Sequence, residues 1–152
     1  MKTTETSWWA RFPYGPVGFS LPTGLVACPN PLALLILSQG AAYYVDVLSP
    51  AATRFGECFP VRQVFSSKEA NCVLIAGNTR LSCFDKHGFT WTNKEVTFDD
   101  LEIIAIRKDV VEVRGFDPRD KNGVVSGIKM LDPGKGIVES KVNLKTGTTI
   151  LP

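Results

Sequence analysis

The sequence lacks most of the residue sets on which enzyme sites depend. It contains one histidine, His87, so a histidine-based nucleophile or acid–base pair would have to use that side chain. His87 lies in an Asp-Lys-His-Gly segment typical of a turn, which favours an exposed turn residue over a catalytic base. No glycine-rich segment has the residue order of a phosphate-binding loop. We therefore expect no cofactor and favour a protein without catalytic activity.

Metal-binding patterns are missing as well. The four cysteines, Cys28, Cys58, Cys72 and Cys83, include no C-x-x-C pair, and their spacings match no zinc or disulfide framework. A calcium loop around residues 117–123 fails because its first and last ligand positions are proline and lysine. We expect no metal site and interpret the cysteines as buried free thiols, each packed as a small apolar residue.

Long apolar runs and charge excess are absent too. The longest apolar run, at residues 32–37, is far shorter than the roughly 20 residues of a membrane span, and no signal-peptide pattern precedes it. The 17 basic and 15 acidic residues give a net charge of +2 without any lysine or arginine run. These features predict a cytoplasmic protein that binds neither membranes nor nucleic acid.

Charge is scarce in one part of the chain. Between Arg11 and Arg54 the only charged residue is Asp46. A stretch of this kind forms either the centre of a core or an exposed apolar surface that binds a partner. We favour the core, and the sequence leaves both interpretations open.

The first 31 residues form an arm rich in proline, glycine and aromatic residues. Its candidate interface residues are Trp8, Trp9, Arg11, Phe12 and Tyr14. Disordered tails are poor in aromatics, so we predict that the arm packs on the rest of the domain. It either plugs one end of the domain, which we favour, or supplies interface anchors for a protein partner or a second copy, because aromatics and arginine dominate binding hot spots.

The remaining sequence predicts strands. Runs of β-branched and aromatic residues alternate with Gly, Asn and Pro turns, and no long window has helical periodicity. The predicted strands are 34–37, 43–47, 61–65, 72–76, 80–84, 102–106, 110–114, 124–131, 137–138, 141–144 and 148–151. Residues 66–70 are the best helix candidate, at about one turn. Asn122-Gly123 predicts a hairpin between residues 110–116 and 124–131.

A weak internal repeat joins several of these strands. Asp46 precedes Ser49-Pro50, Asp85 precedes Gly88, and Asn143 precedes Thr146-Gly147. In the last two copies an apolar strand ends in Asp or Asn, and a glycine closes the turn. In residues 72–91, the pattern Leu-x-x-Phe-Asp-x-x-Gly-x-x-Trp ends at Trp91, and residues 142–147 read Val-Asn-Leu-Lys-Thr-Gly. Both segments resemble the blade repeats of quinoprotein-type β-propellers. The resemblance implies antiparallel blades with a tryptophan docked between them, and it brings no active site.

The chain length limits that resemblance. At about 40–50 residues per blade, 152 residues give about three blades, whereas closed propellers have at least about four. We therefore expect an all-β, single-domain antiparallel sandwich or a partial propeller-like stack of β-hairpins over residues 1–152. Such a stack must cover its sheet faces itself or complete its core by oligomerising. We expect Trp91 to lie in the core.

Two functions follow from these expectations. The first is a non-catalytic binding or assembly module whose partner is another protein or a second copy of the chain. The alternative is a small hydrolase or carbohydrate-binding β-domain with a carboxylate site at Asp99, Asp100 and Asp117. A concave cleft that gathers these carboxylates would favour the alternative, whereas an apolar face built from residues 8–50 would favour the module.

Overall fold

The residues that the structure describes form three consecutive four-stranded antiparallel sheets. The computed structural model describes residues 10–13, 15, 20–48, 52–94, 96–97, 99–117 and 137–150, and these ranges contain no helix. Sheet 1 contains β1 (Gly24–Ala27), β2 (Ala33–Ser38), β3 (Ala41–Asp46) and β4 (Ala52–Phe55). Sheet 2 contains β5 (Gln63–Ser67), β6 (Cys72–Ala76), β7 (Leu81–Asp85) and β8 (Gly88–Thr92). Sheet 3 contains β9 (Asp99–Arg107), β10 (Val110–Phe116), β11 (Ile137–Asn143) and β12 (Thr149–Ile150).

The all-β, antiparallel class expected from the sequence is confirmed. In each sheet the strands are neighbours in chain order, so every sheet is a simple meander. The helix expected at residues 66–70 is wrong, because β5 continues to Ser67 and a turn follows in which the Ala70 N–H donates to Ser67 Oγ at 3.1 Å. The turn Asn122-Gly123 and the strand 124–131 lie outside the described residues. Strand β10 pairs with β9 on one side and with β11 on the other.

Sheet 2 is the middle layer of the stack and is buried on both faces. All five residues of β6 are buried. Alternate residues of a strand point to opposite faces, so Leu74 packs in a cluster with Leu101 and Val113 of sheet 3, whereas Ile75 packs in a cluster with Leu35 of sheet 1. The sequence predicted a strand at residues 72–76 from a short run of apolar residues. No polar residue interrupts this run because neither face of β6 meets water.

Trp91 on β8 docks from sheet 2 onto the last turn of sheet 3. Its side chain is 8% exposed, and its indole Nε1 donates to the Leu144 carbonyl at 2.7 Å. Gly147 has a φ of +69°, and a Cβ at this position would lie 2.6 Å from the indole ring. The turn thus approaches the ring as closely as a glycine allows. The prediction that Trp91 lies in the core is confirmed.

The sequence repeat has a structural counterpart. Asp46, Asp85 and Asn143 each end the third strand of their sheet. In each case the side-chain Oδ1 accepts the backbone N–H two residues further along, at 2.8, 2.7 and 2.9 Å. This short side-chain turn directs the chain out of the strand and toward the fourth strand. The third copy is more distant in sequence because residues 117–136 lie between β10 and β11.

The side-chain amide of Gln63 forms two hydrogen bonds between sheet 2 and sheet 3. Gln63 at the start of β5 donates from Nε2 to the Ile103 carbonyl at 3.2 Å, and its Oε1 accepts the Ile103 N–H at 2.7 Å. Ile103 is 3% exposed, so these two backbone groups have little access to water. The amide therefore pairs with the edge of β9 much as a neighbouring strand would.

Replacing Gln63 with alanine should lower the free energy of unfolding by about 1–3 kcal/mol, because it leaves a buried N–H and C=O without partners. Urea unfolding followed by circular dichroism measures this loss. Lys141→Ala, on the exposed side of β11, is the control and should change stability by less than about 0.5 kcal/mol. Equal effects of the two substitutions would contradict a role for the amide.

Candidate functional site

Sheet 1 has two apolar faces. Its inner face packs on sheet 2 through residues such as Leu35 and Leu37. Two rows of paired residues cross its outer face, which we call the apolar end of the stack. The rows are Leu25, Ile36, Tyr43 and Arg54, and Ala27, Leu34, Val45 and Ala52. Arg54 is the only charged residue of these rows. The stretch between Arg11 and Arg54, which is poor in charge, therefore supplies both a core face and an outward apolar face.

The described part of the N-terminal arm lies on this apolar end. The Phe12 ring packs on Tyr43 with ring centroids 5.0 Å apart, and Tyr43 Oη donates to the Pro13 carbonyl at 3.1 Å. The Gly15 N–H donates to the Ser38 carbonyl at 2.9 Å. Together these contacts cover the centre of the outer face, where Tyr43 is 6% exposed.

The other candidate arm residues differ in their placement. Arg11 is exposed next to Phe12. Trp8, Trp9 and Tyr14 lie outside the described residues. Leu25, on the edge strand of the same sheet, is 71% exposed. The structure therefore brings Phe12 onto the apolar end and leaves an apolar margin beside it.

The opposite end of the stack combines charged pairs with exposed apolar side chains, of which Ile137 is 58% exposed. On the outer face of sheet 3, Glu112 lies opposite Lys141, and Arg114 lies opposite Glu139. Arg114 also forms an ion pair with Glu102 at 2.8 Å. Exposed ion pairs contribute little stability, but they keep a sheet face compatible with water. The two ends of the stack thus have different chemistry.

The three candidate carboxylates lie near the start of β9 and the end of β10. Asp99 on β9 pairs with Phe116, the last residue of β10. Asp117 is the residue that follows Phe116 in the chain. Asp100 has a φ of +52°, and its carboxylate is 3.7 Å from the Arg62 guanidinium. The Asp99 carboxylate accepts the Asp100 N–H at 2.9 Å. None of the three lines the cleft described next, and the carboxylate site stays a prediction.

A cleft of about 440 Å³ lies between sheet 2 and sheet 3. Cys72 and Cys83 line it, and their side chains belong to buried residues that are 4% and 3% exposed. The charged residues that line it are Glu69, Asp85, Lys108, Asp109 and Lys145. Lys145 Nζ forms an ion pair with Asp109 at 3.0 Å. The cleft therefore combines two thiols with side chains of both signs.

The two thiols interact with each other. The Cys83 thiol donates toward the Cys72 sulfur, which lowers the pKa of Cys72 against the opposing effect of burial. The same interaction, together with burial, raises the pKa of Cys83. The two thiols therefore do not titrate independently of each other.

The sequence contained a signal for this pair that our interpretation did not use. Leu74 pairs with Cys83, and Val73 with Phe84, so Cys72 and Cys83 lie on the same face of one hairpin. All four cysteines are free, as expected, although Cys28 is only partly buried. Cys58 differs from the pair because burial raises its pKa to about 11.

His87, the only histidine, is exposed in the turn after β7, as the sequence predicted. It does not line the cleft. In the part of the chain that the structure describes, no helix is long and apolar enough to cross a membrane.

These features define an all-β protein built as a stack of three four-stranded sheets, with an apolar outer face on sheet 1, charged pairs on the outer face of sheet 3 and a cleft that contains two thiols. In three comparisons, no family model, no curated protein and no solved structure matches the chain. The resemblance of residues 72–91 and 142–147 to quinoprotein-type blade repeats stays a prediction.

Proposed function

We propose that the protein is a non-catalytic assembly module that binds a second copy of itself through the apolar end of its stack. The observation that supports this most is the difference between the two terminal sheet faces. The outer face of sheet 3 carries two cross-strand charge pairs beside the exposed Ile137 and Ile150, whereas the two central rows of the outer face of sheet 1 have Arg54 as their one charge. Apolar sheet faces are removed from water by packing on another surface.

The partner is inferred from the chemistry of the face. An acidic or basic partner would require complementary charges, and the two rows offer a single arginine. The margin of the outer face of sheet 1 has exposed apolar residues, namely Leu25, Ala27 and Ala52. These residues fit a second apolar surface. The same face of another copy meets this requirement, and twofold pairing places each margin against its counterpart.

The arm belongs to the proposed interface. Phe12 and Pro13 cover the centre of the face, so a second copy would contact the arm as well as the strands. Aromatic anchors surrounded by smaller apolar residues are the usual composition of interface centres. The residues Trp8, Trp9, Arg11 and Tyr14 are proposed to extend this contact.

We propose the cytoplasm as the location of the assembly. The supporting observation is that all four cysteines are free and that two of them lie together without a bond. Neighbouring thiols persist in reducing compartments, whereas secreted domains use such residues in disulfides.

Self-association is tested by light scattering and sedimentation. The wild-type chain should have twice its mass of 16.6 kDa at micromolar concentration. Leu25→Glu places two new carboxylates in a symmetric interface, and the dissociation constant should rise at least about tenfold, which corresponds to about 1.4 kcal/mol.

The matched control is Ile104→Glu, which changes an exposed leucine-sized residue in sheet 3 rather than in sheet 1. Ile104 is 46% exposed, so its replacement should leave both the fold and the dissociation constant unchanged. A wild-type chain that remains a monomer at high micromolar concentration would rule out self-association. Equal weakening by both variants would place the interface elsewhere.

A further inference from the structure

We propose that Cys72 and Cys83 form a two-thiolate binding site for a soft, thiophilic metal ion of the Cu(I) class. Both residues line the cleft between sheet 2 and sheet 3, and both lie on the face of β6 and β7 that points toward sheet 3. Each occupies a rigid, paired strand. The site is therefore held by two neighbouring strands rather than by a mobile loop.

The pairing register places the two cysteines side by side. Cys83 pairs with Leu74, so Cys72 is its diagonal neighbour on the same sheet face. The two thiols also interact with each other. Two neighbouring sulfurs on one face can serve as ligands of a single ion.

The ligand set favours a soft ion with few ligands. Thiolate ligands select ions such as Cu(I), whereas Mg²⁺ and Ca²⁺ prefer oxygen ligands. Within the described ranges, no group of three or more His, Cys, Asp and Glu side chains is arranged to hold a metal ion. Two thiolates satisfy the common two-coordinate geometry of a monovalent soft ion, and structural zinc needs four ligands.

The proton and charge balance of binding is as follows. Binding of one monovalent cation displaces one proton from each thiol to the buffer, so the bound group carries one net negative charge. Lys108 in the same cleft opposes that charge, whereas Asp85 adds to it. The reaction involves no change of oxidation state and needs no co-reactant.

The other two cysteines lack these features and serve as internal controls. Cys58 Sγ lies 3.3 Å from the Arg80 carbonyl and 3.1 Å from Ser82 Oγ, and it does not line the cleft. Cys28 is partly buried against the cluster between sheets 1 and 2. Neither has a second cysteine beside it on the same sheet face.

The proposal is tested by anaerobic competition for Cu(I) with the coloured chelator bicinchoninate. The reduced wild-type chain should withdraw one Cu(I) per chain from the chelator. Cys72→Ser and Cys83→Ser should each abolish the withdrawal, whereas Cys28→Ser should retain it. X-ray absorption of the wild-type complex should show two sulfur ligands. Circular dichroism checks that each variant is folded.

A second measurement needs no variant. With Cu(I) bound, Cys72 and Cys83 of the wild-type chain should be protected from alkylation by N-ethylmaleimide, and Cys28 should be modified as in the metal-free chain. Mass spectrometry of peptides measures both. Withdrawal of Cu(I) that survives loss of both cleft thiols, or that disappears in Cys28→Ser, would overturn the site.

Discussion

Replacing Trp91 with alanine should lower the free energy of unfolding by about 3–5 kcal/mol, the range seen when large aromatic side chains are removed from cores. Trp91 fills the space between sheet 2 and the turn at Gly147, and its indole N–H pairs with the Leu144 carbonyl. The substitution leaves a cavity and an unpaired carbonyl. Urea unfolding followed by circular dichroism measures the change.

The control for this prediction lies on the same strand. Thr90 is exposed on β8, so Thr90→Ala should change the free energy of unfolding by less than about 0.5 kcal/mol. If Trp91→Ala lowered the free energy of unfolding by less than about 1 kcal/mol, Trp91 would not be a main packing contact between sheets 2 and 3.

Replacing Phe84 with alanine should also lower the free energy of unfolding by about 3–5 kcal/mol. Phe84 is fully buried between sheets 1 and 2. Its ring lies 5.7 Å from Tyr44, 5.2 Å from Phe55 and 5.8 Å from Phe89, measured between centroids. Its removal would break this aromatic cluster at its centre, and chemical denaturation measures the loss.

Phe59→Ala is the matched control for Phe84→Ala. The Phe59 ring is 42% exposed and lies under the Arg54 guanidinium at 5.1 Å. Loss of an exposed cation–π contact should cost about 0.5–1 kcal/mol. If both phenylalanine substitutions had the same effect, the cluster around Phe84 would not be the main contact between sheets 1 and 2.

The sequence predicted most of the strands, including the edge strands β5, β9 and β12, but missed the two edge strands of sheet 1 for a physical reason. Strand β6 is buried on both faces, so every residue is apolar and the signal is strong. Strands β1 and β4 are edge strands of sheet 1, largely exposed, and four residues long. Their sequences are under weaker constraint because they pair on one side only.

The false helix at residues 66–70 has a related cause. Ser, Lys, Glu and Ala tolerate a helical turn when read alone. Ser66 and Ser67 instead pair with Val73 and Cys72 across the hairpin, and this pairing with a buried strand determines the conformation of the segment. Tertiary pairing outweighs such a short local preference.

The candidate sites were predictable in part. Alternate residues of the paired strands 72–76 and 80–84 point to the same face, and Cys72 and Cys83 both lie on that face. Their proximity therefore follows from the hairpin alone. The cleft does not follow, because it forms only where Ile106 and Leu144 of sheet 3 meet the same face. Likewise, the aromatic composition predicted a packed arm, but its position on Tyr43 depends on contacts 30 residues apart in the chain.

The contact between Trp91 and the turn at Gly147 also affects the order in which the protein takes shape on the ribosome. Synthesis proceeds from the N-terminus, and domains begin to fold before the chain is finished. Sheets 1 and 2 are complete once Thr92 has emerged. The indole of Trp91 then waits for Leu144 and Gly147, which follow more than fifty residues later. During that interval the face of sheet 2 that carries Leu74 and Trp91 lacks its partners from sheet 3, and the turn at Gly147 supplies the last of these contacts in chain order.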